Sequence, residues 1–216
     1  MNHKSASLSQ HPSMDYEAQL WQQGYQSVAG LDEAGRGAWA GPVYAAAVIL
    51  PNDERVMQLL NGVNDSKKMT ARQRERWQGC IKSASLDWAV GSASPQEIDA
   101  MGIAAATRCA MTRALNQLRY KAAYLLIDYV RLPECDLPQT NLPKGDALSL
   151  SIAAASVLAK TARDKLMIEL DSKYPLYGFA RHKGYGTAQH RAALETAGLS
   201  EIHRTSFRPM KFMPMQ

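Results

Sequence analysis

Cysteine is scarce in this chain, with three among its residues, Cys80, Cys109 and Cys135. They are odd in number, widely spaced and contain no Cys-x-x-Cys pair, so neither a disulfide framework nor a zinc cluster is expected. Long apolar runs are also missing. The longest, from Val43 to Leu50, is rich in alanine and ends at Pro51, far short of the roughly 20 residues a bilayer span needs. The opening segment MNHKSASLSQHPSMDY is polar and lacks the apolar stretch of a secretory signal. These absences set the expectation of a cytoplasmic protein with reduced thiols and no membrane partner. No internal repeat or low-complexity linker interrupts the chain.

What is present fits an ordered domain. The 216 residues are 46% hydrophobic and 21% charged, close to the averages for globular domains and long enough for a sizeable core. The net charge is +5, and its placement is more informative than its size. Residues 1–159 hold fifteen basic and fifteen acidic side chains, whereas 160–216 hold ten basic and five acidic. A basic segment beside a balanced one is the footprint expected for a polyanion partner, although basic surfaces also serve solubility.

Local patterns predict the elements. Residues 1–26 read as a mobile arm with a short helix around Tyr16 to Gln23. Strands are expected at Ser27 to Asp32 and Val43 to Leu50, joined through the glycine-rich turn Ala34-Gly35-Arg36-Gly37 as a hairpin, with a third at Leu86 to Ala93. Thr70 opens a helix to about Ser83. Ser94-Pro95-Gln96-Glu97 combines an N-cap, a first-turn proline and a reciprocal capping glutamate, predicting a helix to about Leu118. Ala123 to Asp128 reads as a buried strand, Ala147 to about Lys173 as a long helix with an alanine face, and Thr187 to Ala197 as a helix closed by Gly198. The sum is α/β, a mixed sheet covered on both faces, with 27–216 as one domain ending in a small helical portion from about Tyr174.

Asp32 and Glu33 end an apolar strand just before a glycine turn, Asp128 ends another, and Asp146 follows Lys144-Gly145 at the mouth of the long helix. Acids on the rim of an α/β sheet lie where ligands usually bind. Each also has a plainer role: Asp146 suits a helix N-cap, Asp128 can simply end a strand, and adjacent acids are often solvated. Taken together, and without a Cys or His cluster, they favour an oxygen-rich Mg²⁺ or Mn²⁺ site over zinc. His182, His190 and His203 match no metal spacing and read as structural or substrate-adjacent.

Gly30-Leu31-Asp32-Glu33-Ala34-Gly35-Arg36-Gly37, continuing to Ala40-Gly41-Pro42-Val43, resembles the opening motif of the type 2 ribonucleases H. So do Asn64-Asp65-Ser66-Lys67-Lys68, Lys144-Gly145-Asp146, Ala153 to Lys160 with Arg163-Asp164, His182-Lys183-Gly184-Tyr185-Gly186-Thr187, and His203-Arg204-Thr205-Ser206-Phe207. The blocks keep the family's order over roughly Val28 to Pro209, and such an ordered set is specific. The resemblance implies a ribonuclease H-like fold, a five-stranded mixed sheet flanked by helices, with Asp32, Glu33, Asp128 and Asp146 as catalytic, metal-binding carboxylates. The family usually has glycine after its third acid; here Tyr129 follows Asp128.

By the same resemblance the substrates are RNA/DNA hybrids and duplex DNA containing embedded ribonucleotides, cut on the 5′ side by a monomer, in ribonucleotide excision repair and DNA replication. The Gly35-Arg36-Gly37 turn then reads the ribonucleotide, since backbone without side-chain bulk can approach a 2′-hydroxyl. Tyr185 packs on the neighbouring deoxyribose, and Lys67, Lys160 and Lys183 are candidate phosphate contacts. Read without the family, Arg36 and the lysines are ordinary surface cations and Tyr185 a half-buried tyrosine. Phosphodiester hydrolysis needs an activated water, charge stabilisation and help for the leaving oxygen, which two divalent ions about 4 Å apart can supply together. Asp32 is the expected bridge, Glu33 and Asp128 serving one ion and Asp146 the other. Rival readings are a hybrid-binding protein without activity and another two-metal nuclease of the same fold.

Overall fold

The computed structural model describes residues 11–213. Its elements in chain order are α1 (Asp15–Gln22), β1 (Val28–Ala34), β2 (Val43–Ile49), α2 (Glu54–Leu59), α3 (Ala71–Ala84), β3 (Asp87–Ala93), α4 (Pro95–Met101), α5 (Ile103–Gln117), β4 (Tyr124–Asp128), β5 (Gln139–Leu142), α6 (Leu150–Lys173), α7 (Phe179–His182) and α8 (Ala188–Ala197). The strands form one sheet in the order β3-β2-β1-β4-β5. β1 pairs antiparallel with β2 and parallel with β4, so the sheet is mixed, as expected. Among the described residues no helix is long and apolar enough to cross a membrane.

Each face of the sheet is covered. α6 packs on one side through Ala153, Ala154 and Val157, against Ala46 and Val48 of β2. α5 covers the other side through Ala106, Ala110 and Ala114, against Leu31, Ala45 and Ala47. Small side chains let these helices approach closely. At Gly30 the approach excludes any side chain, because a Cβ there would lie 2.2 Å from the backbone carbon of Ser151. That contact fixes the start of α6 two residues before Asp32.

Three local differences from the sequence reading have physical causes. The helix expected from Ser94 to Leu118 is two helices, because Gly102 adopts φ 80° between them. The helix expected from Ala147 begins at Leu150, after a 3-10 turn over Gly145–Ala147. Strand β5 carries the polar sequence QTNL, which lacks an apolar pattern and is held by its ladder with β4.

The segment read as an arm is described from His11 onward, and there it is docked on the domain. Ser13 N–H donates to Leu148 O at 3.1 Å, and Leu150 N–H donates to Ser13 O at 2.8 Å. Glu17 is buried, and its Oε1 accepts from Ser149 Oγ, Ser151 N–H and Ser151 Oγ at 2.6, 2.9 and 2.6 Å. A carboxylate at the N-terminus of a long helix is favoured by the helix dipole. The N-terminal segment is thus tied to the turn that carries Asp146.

Candidate active site

Asp32 sits near the end of β1, Asp128 ends the parallel neighbour β4, and Asp146 lies in the 3-10 turn before α6. Parallel pairing of β1 with β4 brings the first two to one rim, and the Gly145 N–H donates to Asp128 Oδ1 at 2.7 Å, drawing in the third. One carboxylate oxygen from each lies within 4.8 Å of the others. Glu33 stands beside them: its Oε1 is 3.6 Å from Arg36 Nη1.

The electrostatics of the cluster are unfavourable for the protein alone. Burial pushes the Asp32 carboxyl well up, and Glu33 and Asp128 push it further. Burial also raises Glu33 and Asp128. Asp146 is pushed up to about 6 by burial and by the charges of Asp65 and Asp128. Among the described residues, buried Asp32 Oδ2 and Glu33 Oε2 meet no hydrogen-bond partner. Buried carboxylate oxygens without donors are expensive unless a cation takes them. An all-oxygen donor set with these orphaned atoms fits hard divalent cations.

Asp65 belongs to this neighbourhood although its role was not singled out in the sequence; it lines the same cleft of 510 Å³ as Glu33, Lys67, Asp128 and Asp146. The signal available was its place beside Lys67, whose N–H donates to Asp65 Oδ1 at 2.9 Å. Lys67 itself reaches within 3.8 Å of Asp146 Oδ2. Lys160, Lys183 and Tyr185 instead line a separate groove of 740 Å³. There Lys160 Nζ pairs with Asp164 Oδ1 at 2.7 Å and lies 5.4 Å from the Tyr185 ring centre, while Lys183 Nζ donates to Ala180 O.

Two buried arginines shape the Gly35-Arg36-Gly37 turn from behind. Arg204 donates from Nε to Gly41 O, from Nη1 to Arg36 O and from Nη2 to Gly35 O, at 2.9, 2.9 and 2.7 Å. Arg163 donates in the same way to Pro42 O, Lys183 O and Ala40 O. A Cβ on Gly35 would lie 1.9 Å from Arg163 Nε, and Gly35 has φ 85°, so only glycine fits there. With carbonyls turned inward, the N–H groups of Arg36 and Gly37 meet no protein acceptor among the described residues. Sequence reading missed this clamp, because its two arginines are remote from the turn along the chain.

The three histidines, unrelated by spacing, are brought together in the C-terminal helical portion. His182 stacks on His190 with ring centres 4.5 Å apart, and His190 Nε2 lies 3.0 Å from His203 Nε2. They are buried among Phe179, Tyr177 and Trp39.

A mixed five-stranded sheet with carboxylates converging on the ends of two parallel neighbours and the following turn defines a metal-dependent nuclease on the ribonuclease H-like fold. The family model described as Ribonuclease HII matches residues 29–210. Over 195 residues the chain is 53% identical to the Ribonuclease HII of Desulfitobacterium hafniense strain Y51, covering 90% of this chain and 74% of that one. It is 52% identical over 200 residues to the Ribonuclease HII of Chloroflexus aurantiacus, covering 92% and 94%. The crystal structure of ribonuclease H2 from Pyrococcus horikoshii OT3 superposes with TM-score 0.71 at 26% identity, covering 86% of this chain and 96% of that one. The chain belongs to the ribonuclease HII family, and with it to the metal-dependent endoribonucleases.

Proposed function

We propose that this enzyme cuts the RNA strand of RNA/DNA hybrids and incises duplex DNA on the 5′ side of single embedded ribonucleotides, leaving 3′-hydroxyl and 5′-phosphate ends. The observation that carries the reading is the junction of two features on one short segment. Asp32 and Glu33 supply carboxylates, and the turn that follows presents the N–H groups of Arg36 and Gly37, which meet no acceptor among the described residues. A 2′-hydroxyl is the group that separates RNA from DNA, and backbone donors beside the acid cluster suit it.

Asp32, Asp128 and Asp146, with Glu33 adjoining, would hold two divalent cations, Mg²⁺ or Mn²⁺. Such cations, when bound, activate water and offset charge at the phosphate. The remaining work falls to the chain itself. Arg204 holds the Gly35 and Arg36 carbonyls, and Arg163 backs Gly35 while holding the Ala40 and Pro42 carbonyls, which leaves the N–H groups of the turn available to the substrate. Lys67 offers an exposed ammonium at the cleft for a backbone phosphate. In the separate groove the Tyr185 ring, with Lys160 and Arg163 at 5.4 and 5.5 Å from its centre, would be the flat surface that packs on a sugar.

The test is a labelled duplex carrying one ribonucleotide, incubated with Mg²⁺ or Mn²⁺ and mapped at nucleotide resolution. A single cut 5′ of the ribonucleotide, lost in EDTA and absent on all-DNA duplex, is expected. Cutting of all-DNA duplex at a comparable rate would replace this reading with that of a general two-metal nuclease.

A further inference from the structure

Tyr129 has φ 56°, in the left-handed region where glycine is unstrained and a bulky residue is not. The backbone is held there by its neighbours: Tyr129 N–H donates to Leu142 O at 3.2 Å and Val130 N–H to Asp128 O at 2.5 Å. The side chain gives nothing back to the fold. It is 69% exposed, and among the described residues its hydroxyl has no hydrogen bond and its ring no aromatic or cationic neighbour. Strained backbone carrying an exposed aromatic beside catalytic acids points to function rather than packing.

The ring stands on the wall between two cavities. The acid cleft of 510 Å³ adjoins a pocket of 320 Å³, and Arg36 and Tyr129 line both. Arg108 and Arg131 bring two more guanidinium groups to the smaller pocket, with Val130 and Pro133 supplying apolar walls. Two carboxylates partly offset this charge: Glu33 is 3.6 Å from Arg36, and Glu134 is 3.5 Å from Arg108. Arg131 is exposed and has no carboxylate within ion-pair distance among the described residues. An exposed ring on the wall of a pocket lined by three arginines is the chemistry that contacts a nucleotide through its sugar and its phosphate.

We propose that this pocket holds a nucleotide of the substrate strand flanking the scissile phosphate, with Tyr129 packing on its sugar and Arg36, Arg108 and Arg131 facing its phosphate. The proposal rests on the hybrid-cleaving reading of the acid site and adds a subsite to it. Because the flanking nucleotide reacts at neither bond, the contact acts alike in ground and transition states and appears in KM rather than kcat.

The experiment pairs anisotropy of a labelled RNA/DNA hybrid in EDTA with steady-state cleavage in Mg²⁺. Tyr129→Gly should weaken hybrid binding and raise KM by about 5- to 20-fold, the scale of a lost aromatic contact to nucleic acid, with kcat within about 2-fold. Its Tm should not fall, since glycine suits this φ. Tyr129→Phe should restore binding to within about 2-fold, the ring being retained. Arg131→Ala should reduce the slope of log Kd against log salt by about one. Shortening the hybrid from one end only should erase the difference between parent and Tyr129→Gly, which separates a strand-borne nucleotide from a free anion. Tyr129→Gly binding and cleaving as the parent does would overturn the subsite while leaving the acid-site reading intact. A parent that fails to cleave hybrids at all would overturn both.

Discussion

His203 donates its Nε2 proton to Nε2 of His190 across 3.0 Å, and both ends of that bond are fixed by other partners. Ser200 N–H donates to His203 Nδ1 at 2.9 Å, leaving the proton on Nε2. Tyr185 O accepts from His190 Nδ1 at 3.0 Å, leaving His190 Nε2 bare. A further proton on either ring would set two N–H groups against each other. Burial pushes both imidazoles down to about 4. These groups are neutral in the folded chain and protonate below pH 6.5 when unfolded. Their contribution is therefore complete above about pH 7.5 and is lost as pH falls toward 4, by about 1.4 kcal/mol per pH unit for each excess proton taken up on unfolding. Imidazole NMR titration should show His190 and His203 neutral at pH 5.5, and a midpoint near 6.5 for either would remove this pair as a neutral link.

The acid cluster has the opposite sign. Asp146, pushed up to about 6, binds its proton more tightly in the folded state than in the unfolded one. Without divalent cation it destabilises the fold increasingly as pH rises through 4 to 6. Asp146→Asn should raise stability in EDTA at pH 7.5 by about 1 to 2 kcal/mol, with the gain vanishing near pH 4, while nearly abolishing cleavage. Urea unfolding at the two pH values checks this.

Asp164 is the contrasting aspartate. It sits between Lys160 Nζ at 2.7 Å and Arg74 Nη2 at 3.0 Å, so it joins α6 to α3 and lies outside the carboxylate group of the acid cleft. Asp164→Asn should cost stability of about 2 kcal/mol through weakened charged hydrogen bonds, yet reduce kcat far less than Asp146→Asn. The reverse ranking of rates, with both proteins folded, would move Asp164 into the catalytic set.

Arg204→Lys keeps the charge and removes the fork that reaches the Gly35, Arg36 and Gly41 carbonyls. An ammonium cannot satisfy three diverging acceptors in that geometry. Stability should fall by about 3 kcal/mol, and kcat/KM on a single-ribonucleotide duplex should fall further than kcat/KM on a long hybrid. Equal losses on both substrates would show that the turn does not read the ribose.

The Tyr185 hydroxyl makes no hydrogen bond among the described residues, whereas its ring is flanked by two cations. Tyr185→Phe should behave as the parent does. Tyr185→Ala should lose roughly 1 to 3 kcal/mol of transition-state stabilisation, mainly on single-ribonucleotide duplexes, as relative rates under one salt and metal condition will show.

Features written in short spacings were legible in the sequence. Ser94 with Glu97 forms the reciprocal cap its four-residue pattern promises, and α3 starts directly after Thr70, the expected opening residue. Apolar runs ending in Asp32 and Asp128 gave the strands that carry those acids. Long-range closure was not legible: Glu17 meets Ser151, Arg204 meets Gly35, and His190 meets His203 only once the chain has folded. Polar β5 escaped because its strand character comes from pairing with β4 rather than from its own residues. The break at Gly102 lay inside a helix-favouring stretch, where one glycine usually costs about 1 kcal/mol without ending the helix.

The scatter of the carboxylates along the chain has a consequence for synthesis. Asp146 follows Asp32 by 114 positions, a delay of about 6 to 23 s at ribosomal speeds of 5–20 residues per second. During that interval β1 can already pair with β2, but β4 and the turn before α6 have yet to be made. Glu17 waits still longer for Ser149 and Ser151. A nascent chain attached to the translation machinery therefore carries an incomplete carboxylate set, and the ability to break a nucleic-acid strand arrives late, with the start of its longest helix.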